Sequence, residues 1–276
     1  MSVTIHNCQM ECGGVFLGAC ALTLSGNDPS HPTSARKSVC AVQPAPITLK
    51  YLIPRSMDSV SEYKFQALDM ETQNMLKEAL NDPKTVDLEK LSNTIVNQSL
   101  KDITFCKDAG RICYALVQAE TQKAATSVFR RNLLTRLQQE FTAREETRNR
   151  SLQEWVCLVT FICNMFDYIK VNSAPIVALV DPVYDCLFRL AEPDSLMNEE
   201  EVDCLVLQLH RVGEQLEQKN SRRMDQLFYL VRDGFLLQEG ISSMTRLLLL
   251  EILEFRASGW TLTDTAQQYY YSEVAD

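Results

Sequence analysis

Helical periodicity runs almost without a break from about residue 69 to 258, and it constrains the fold more than any other feature of this chain. In the clearest segment, SLQEWVCLVTFICNMFDYI (151–169), apolar residues form a wide stripe at helical spacing. A stripe this wide predicts burial against more than one neighbouring helix. Glycine and proline are scarce after residue 60, and no segment of note shows the alternation of a strand. We therefore predict an all-α protein.

The spacing of these segments predicts about nine helices joined by short polar connections, which is typical of an α-solenoid or a helical bundle. No strict repeat is found, so the repeats of a solenoid would be degenerate. The helix that opens with FRRNLLTRLQQEF (129–141) is expected to extend to about 149. Pro182 is expected to kink or divide the helix within 175–193. Gly213, inside a helical pattern, predicts a close approach of two helices.

Composition separates the first 56 residues from the rest. They hold five of the nine prolines, four of the nine glycines and four of the ten cysteines. We expect residues 1–60 to be a poorly ordered extension, residues 61–260 to be the helical domain, and residues 261–276 to be a C-terminal tail. The apolar run 15–24 lacks a preceding basic residue, and no run reaches the roughly 18 apolar residues of a membrane span. Neither secretion nor membrane insertion is predicted.

The sequence lacks recognisable motifs for catalysis and metal binding. The sequence has no nucleotide-binding, hydrolase or zinc-protease signature. His210 stands alone on a helix and is interpreted as structural. Six cysteines in apolar helical patterns are expected to be buried free thiols of a protein from a reducing compartment, the cytosol or nucleus: Cys106, Cys113, Cys157, Cys163, Cys186 and Cys204. We predict no enzyme activity, cofactor or metal, and keep an all-α enzyme that uses a buried Cys or His as an alternative.

Arginines on the flank of FRRNLLTRLQQEF are the first candidate partner-binding site. The apolar residues of this stretch share one helical face, and Arg130, Arg131 and Arg136 lie off that face. The arginines are expected either to pair with nearby acids, such as Glu140, Glu145 and Glu146, or to line a surface for an acidic partner peptide.

An acidic run and an aromatic tail are the other candidate sites. Glu199, Glu200 and Glu201 suit the N-terminus of a helix, and they predict either a solvated helix start or a patch for a partner with a basic motif. The tail carries three consecutive tyrosines: Tyr269, Tyr270 and Tyr271. Because aromatic residues are enriched at interfaces, the tail predicts either a partner contact or a cap on the last helical hairpin.

The balance of charge disfavours direct binding of nucleic acid. Residues 1–56 have four basic and two acidic side chains, which leaves 23 basic and 34 acidic side chains in residues 57–276. Phosphate contacts dominate nucleic-acid affinity, and an acidic domain opposes them. A dedicated RNA-binding surface is therefore not predicted.

Four segments, in order, resemble the middle domain of eukaryotic translation initiation factor 4 gamma: FRRNLLTRLQQEF, FICNMFDY (161–168), VYDCLFRL (183–190) and VDCLVLQLHRVGEQLE (202–217). The resemblance covers about 62–258. It implies a crescent-shaped, HEAT-like α-solenoid of about five stacked antiparallel helical hairpins. Within the family, EEEVDCLVLQLHRVGEQLE and YYYSEV are most similar to a small single-domain branch that binds the histone mRNA stem-loop-binding protein.

This resemblance implies an adaptor of the cytoplasm and nucleus. It would link the histone stem-loop-binding protein to translation initiation factors and promote translation of histone mRNAs. It also implies a homodimer, contact with a DEAD-box RNA helicase, and RNA reached only through partners. The alternatives are a direct RNA-binding factor and a helical scaffold for a DEAD-box helicase in mRNA export or decay. Asp69 interrupts the nearest match to the motif that recruits the cap-binding protein, which begins at Tyr63, so that route is not expected.

Overall fold

A computed structural model describes residues 68–276 except 125–126, 172–173 and 273–276. The expected extension, residues 1–60, lies outside the described residues. The described residues form eleven α-helices: α1 (Met70–Asn81), α2 (Leu88–Lys101), α3 (Ile103–Ala119), α4 (Val128–Thr142), α5 (Arg144–Arg150), α6 (Leu152–Tyr168), α7 (Val180–Leu190), α8 (Glu199–Lys219), α9 (Ser221–Leu237), α10 (Ser243–Ala257) and α11 (Asp264–Ser272).

The helices pack as consecutive pairs that stack in two layers. The pairs are α2 with α3, α4 and α5 with α6, α7 with α8, and α9 with α10, and α1 packs on the first pair. In one layer α2 contacts α4 and α7 contacts α9, while in the other α3, α6, α8 and α10 follow one another. Stacking in which each pair packs mainly on its neighbours defines an α-solenoid. The predicted all-α solenoid is confirmed.

Polar caps explain why the connections are so short. Asp69 is the N-cap of α1, and its carboxylate accepts a hydrogen bond from the Thr72 N–H at 2.8 Å. Asp102 ends α2 and also caps α3, and Asn220 does the same between α8 and α9. Each such cap contributes about 1 kcal/mol and fixes where a helix begins. Because one residue can end one helix and cap the next, these two connections are a single residue long.

Helix α6 is the centre of the core. It packs against α2, α3, α5, α7 and α8, which accounts for its wide apolar stripe. Trp155, Phe161 and Phe166 are fully buried on it. Burial of an aromatic side chain contributes roughly 2–3 kcal/mol through the hydrophobic effect. No helix of the described residues has the length and apolar character needed to cross a membrane.

Three details of the predicted helices differ in the structure. The expected helix over 129–149 is divided at Ala143, which lies between α4 and α5. Pro182 lies in the first turn of α7, where a missing N–H breaks no hydrogen bond of α7, so it does not divide this helix. Before α7, Lys170–Val171 pairs antiparallel with Ala174–Pro175, a two-residue ladder too short to give a sequence pattern.

Gly213 on α8 makes room for a side chain and not, as predicted, for another helix. The indole of Trp260 packs on it, edge-to-face with Phe228 and Phe255. Trp260 Nε1 donates a hydrogen bond to Glu217 Oε2 at 2.6 Å. Trp260 has φ +62°, a left-handed conformation that is costly for a bulky residue. The chain after α10 thus turns back and places the indole over α8.

Candidate partner-binding surfaces

The orientation of α4 is fixed by a buried carboxylate. Glu120, in a π-helical turn after α3 (Glu120–Ala124), accepts hydrogen bonds from the backbone N–H groups of Phe129 at 2.9 Å and Arg130 at 3.4 Å. Ser127, at the cap position, makes no side-chain cap. A negative charge at this end of a helix is favourable. The apolar face of α4 is thereby turned into the core, as predicted, and its basic flank outward.

The three candidate arginines of α4 divide into one paired and two unpaired side chains. Arg136 forms an ion pair with Glu140 and donates a hydrogen bond to Asn97 Oδ1 at 3.1 Å. Among the described residues, Arg130 and Arg131 have neither an ion pair nor a side-chain hydrogen bond. The expected pairing with nearby acids is therefore met by Arg136 alone.

Arg130 and Arg131 lack the ion pairs that many other arginines of the described chain form, a state that they share with Arg222 on α9. Ion pairs hold seven further arginines: Arg148, Arg150, Arg189, Arg211, Arg223, Arg232 and Arg256. Arg131 is exposed and Arg130 is half-buried, so both guanidinium groups are open to a ligand. Leu134 is on the same flank, one turn after Arg130, and the three residues line a shallow depression. This flank offers two cations beside an apolar side chain.

Glu201 is not part of an exposed acidic patch, and that expectation was wrong. Its carboxylate is 1% exposed and accepts hydrogen bonds from Arg148 Nε and Nη2, both at 2.7 Å. Trp155 Nε1 donates to it at 2.9 Å and Ser195 Oγ at 3.1 Å. A buried charge is tolerated only with such partners. Glu201 therefore ties α5 and α6 to α8, and the contact lies 53 residues from Arg148 in sequence, beyond any local pattern.

The same network continues toward the surface through Asp194. Its carboxylate contacts Arg189 Nη2 at 2.8 Å and Arg148 Nη1 at 3.1 Å. The hydrogen bond from Arg189 is the main reason that the pKa of Asp194 falls to about 2. Glu145 joins the network through Arg189 Nε at 3.1 Å. Glu199 and Glu200 remain exposed and keep their role as candidate partner contacts.

The tail folds back on the last pair of helices. Tyr270, in α11, is buried, and its hydroxyl donates a hydrogen bond to Glu254 Oε2 of α10 at 2.5 Å. Burial, together with this carboxylate, raises the pKa of the Tyr270 phenol. Tyr269 is 54% exposed and remains a candidate contact, while the Tyr271 side chain lies outside the described residues. The capping interpretation therefore applies to Tyr270.

The buried thiols do not have the properties of nucleophiles. All six described cysteines are free and buried, and burial raises the pKa of Cys157 to about 11 and that of Cys204 to about 12. A catalytic thiol needs a lowered pKa and access to solvent.

His210 Nε2 lies 3.1 Å from Oε1 of Glu251, a nearly fully buried residue of α10. That pair is a packing contact between α8 and α10 which the sequence alone did not indicate.

Comparison with known proteins agrees with this architecture. The sequence model of the MIF4G domain matches residues 57–259. MIF4G domain-containing protein A of Danio rerio is 82% identical over 210 residues, which cover 76% of this chain and 97% of that protein. The human MIF4G domain-containing protein is 67% identical over 218 residues, which cover 79% of this chain and 98% of that protein. The chain therefore belongs to the MIF4G domain family of helical scaffolds in translation and RNA metabolism.

Proposed function

We propose that this protein is a non-enzymatic adaptor that binds the histone mRNA stem-loop-binding protein and translation initiation factors, and so promotes translation of histone mRNAs. In this proposal it is a homodimer of the cytoplasm and nucleus, it contacts a DEAD-box RNA helicase, and it reaches RNA through its partners. Membership of a family of scaffolds supports the adaptor role. The likeness of residues 199–217 and 269–274 to the branch that binds the stem-loop-binding protein supports the choice of partner.

The unpaired Arg130 and Arg131 are the observation that carries the proposal. A guanidinium group matches a carboxylate with two parallel hydrogen bonds, and such charge-assisted bonds are stronger than neutral ones. Both side chains stand on a helix whose start is held by Glu120, so the backbone beneath them needs no ordering on binding. Leu134 beside them gives an apolar contact. This flank therefore suits a short acidic peptide that also carries an apolar residue.

The overall charge favours a protein partner at this flank over RNA. The chain has a formal net charge of −9. A long polyanion meets repulsion from the whole surface, whereas a short acidic peptide meets mainly the two arginines within one Debye length of about 8–10 Å. Binding at this flank is thus compatible with an acidic protein.

The test is a calorimetric titration of the full chain with purified stem-loop-binding protein, without RNA, at two salt concentrations. The unchanged chain is expected to bind at micromolar concentration or tighter, and more weakly at high salt. The Arg130→Glu and Arg131→Glu double variant is expected to lose about tenfold or more in affinity, because each close charge pair contributes roughly 1 kcal/mol or more.

The matched control is the single variant Arg222→Glu. Its affinity is compared with that of the single variant Arg131→Glu. Arg222 is exposed in the first turn of α9 and forms no ion pair with a described residue, so it carries the same change of charge elsewhere on the surface. Its affinity is expected to stay within about twofold of the unchanged chain. Equal losses in both variants would assign binding to net charge and not to α4. Absence of binding by the unchanged chain would remove the stem-loop-binding protein as partner.

A further inference from the structure

Three large apolar side chains are exposed at the end of α9 and just before α8, in segments that meet where Gln238 contacts Met197. Met197 is 53% exposed, Leu236 is 61% exposed and Leu237 is 72% exposed. The two leucines directly precede Gln238, whose Nε2 lies 3.9 Å from Met197 Sδ. Soluble proteins seldom expose contiguous apolar groups without a use. We call these three residues, with the neighbouring exposed Glu199, Glu200 and Glu239, the Met197 patch.

The backbone under the Met197 patch is held firmly. Arg246 donates hydrogen bonds to the carbonyl oxygens of Phe235 at 2.7 Å and Gln238 at 2.8 Å, which satisfies the C-terminal end of α9. Gly240 has φ +79°, and a Cβ there would stand 3.2 Å from Met197 Cε. A residue other than glycine would be strained in this turn. The patch is therefore ordered before any partner arrives, which lowers the cost of binding.

Acidic side chains outnumber basic ones around the apolar centre. Residues 195–202 and 233–242 contain no Lys, Arg or His. Arg232 pairs with Asp233, and the guanidinium group of Arg246 is used by backbone carbonyls. Glu199, Glu200 and Glu239 form no ion pair with a described residue. An apolar centre is thus bordered by three carboxylates that form no ion pair with a described residue, and the nearby Arg246 cation is held against backbone carbonyls.

We infer that the Met197 patch is a docking surface for a basic, amphipathic segment of a partner protein. The apolar side chains of such a segment would cover Met197 and Leu237, and its Lys or Arg side chains would face the three glutamates. Complementary charge steers such an encounter and sets its specificity, and a flexible Met adapts to the shape of the ligand. This surface shares no residue with the α4 flank, so the inference goes beyond the proposed function.

A second copy of this chain fits the patch poorly. In a two-fold contact the same surface meets itself, so the three carboxylates of each copy would be brought into the same interface as those of the other. Like charges brought together in an interface cost several kcal/mol. The charge therefore favours a basic partner of a different sequence.

The probe is a synthetic 18-residue helical peptide of Leu and Lys with its leucines on one face, and a second peptide with Glu in place of every Lys. Fluorescence anisotropy with the full chain would report binding at low and physiological salt. We expect the Lys peptide to bind and the Glu peptide not to bind. Changing Glu199, Glu200 and Glu239 to Gln is expected to weaken Lys-peptide binding about tenfold or more at low salt. The double variant M197S/L237S is expected to weaken it similarly at both salt concentrations.

The controls change similar groups elsewhere. Glu78, Glu89 and Glu214 are exposed on other helices, and Tyr229 is an exposed aromatic residue of α9. The triple variant in which Glu78, Glu89 and Glu214 are changed to Gln is expected to alter peptide affinity by less than about twofold. The same small change is expected for Tyr229→Ser. Equal weakening by the control variants, or no binding by the unchanged chain, would overturn the inference. Sedimentation that shows a dimer broken by M197S/L237S would also overturn it, because a second copy would then occupy the patch.

Discussion

The indole of Trp260 lies against the backbone of Gly213, so closely that a Cβ built at Gly213 would stand 2.1 Å from Cζ3 of the ring and 2.4 Å from Cη2. Replacing an interior helical glycine by alanine ordinarily stabilises a protein by about 0.5–1 kcal/mol. Here the added methyl group must displace a packed ring, and overpacking costs roughly 1–3 kcal/mol. We expect Gly213→Ala to lower the free energy of unfolding by about 1–2 kcal/mol, measured by urea denaturation.

A double-mutant cycle isolates the cause of that loss. Trp260→Leu removes the ring, and in this background Gly213→Ala is expected to be neutral or stabilising, because only the helix propensity remains. A stabilising effect of Gly213→Ala in the otherwise unchanged chain would contradict the packing seen here.

The buried contact between Arg148 and Glu201 predicts a large loss of stability on removal of the carboxylate. Glu201→Ala leaves the Arg148 guanidinium, the Trp155 N–H and the Ser195 hydroxyl without their shared acceptor. Removing one partner of a buried ion pair costs about 3–5 kcal/mol. Urea denaturation of Glu201→Ala and of Glu200→Ala would compare two adjacent glutamates. Glu200 is exposed, so its variant is expected to stay within about 0.5 kcal/mol of the unchanged chain.

Asp194 is expected to titrate far below an ordinary aspartate. Its pKa of about 2, against an ordinary 3.8, is due mainly to the hydrogen bond from Arg189. Because the folded-state pKa is depressed, the stabilisation is complete above about pH 3.8 and is lost as the pH falls toward 2. The side chain is 58% exposed, so solvent screening limits its contribution to less than about 1 kcal/mol.

Carbon NMR of the side-chain carboxyl groups would measure this titration directly. Arg189→Gln is expected to move the Asp194 midpoint upward toward its ordinary value, whereas Arg222→Gln, which changes a distant guanidinium group, is expected to leave it in place. A midpoint near 3.8 in the unchanged chain would show that Arg189 does not hold the carboxylate in solution.

Sequence patterns within single helices predicted much of this structure. Contacts between residues of different helices are the features that they mainly failed to predict. The apolar stripe of α6 and the apolar face of α4 follow from helical periodicity, which depends only on residues close together in sequence. The burial of Glu201 depends on Arg148, 53 residues away, and the space at Gly213 is filled from residue 260. No local spacing reveals such partners. For the same reason, the unpaired state of Arg130 and Arg131 could be stated only as one of two alternatives.

The position of Trp260 has a consequence for where this domain ends. The match to the MIF4G domain model ends at residue 259, one residue before the indole that packs over Gly213, Phe228 and Phe255. A fragment cut at that boundary would keep α1 to α10 and still expose two aromatic rings to water. Loss of a buried aromatic side chain costs about 3–5 kcal/mol, a large share of the 5–15 kcal/mol that holds a typical domain together. The folded unit therefore extends beyond residue 259, because the Trp260 side chain is part of its hydrophobic core.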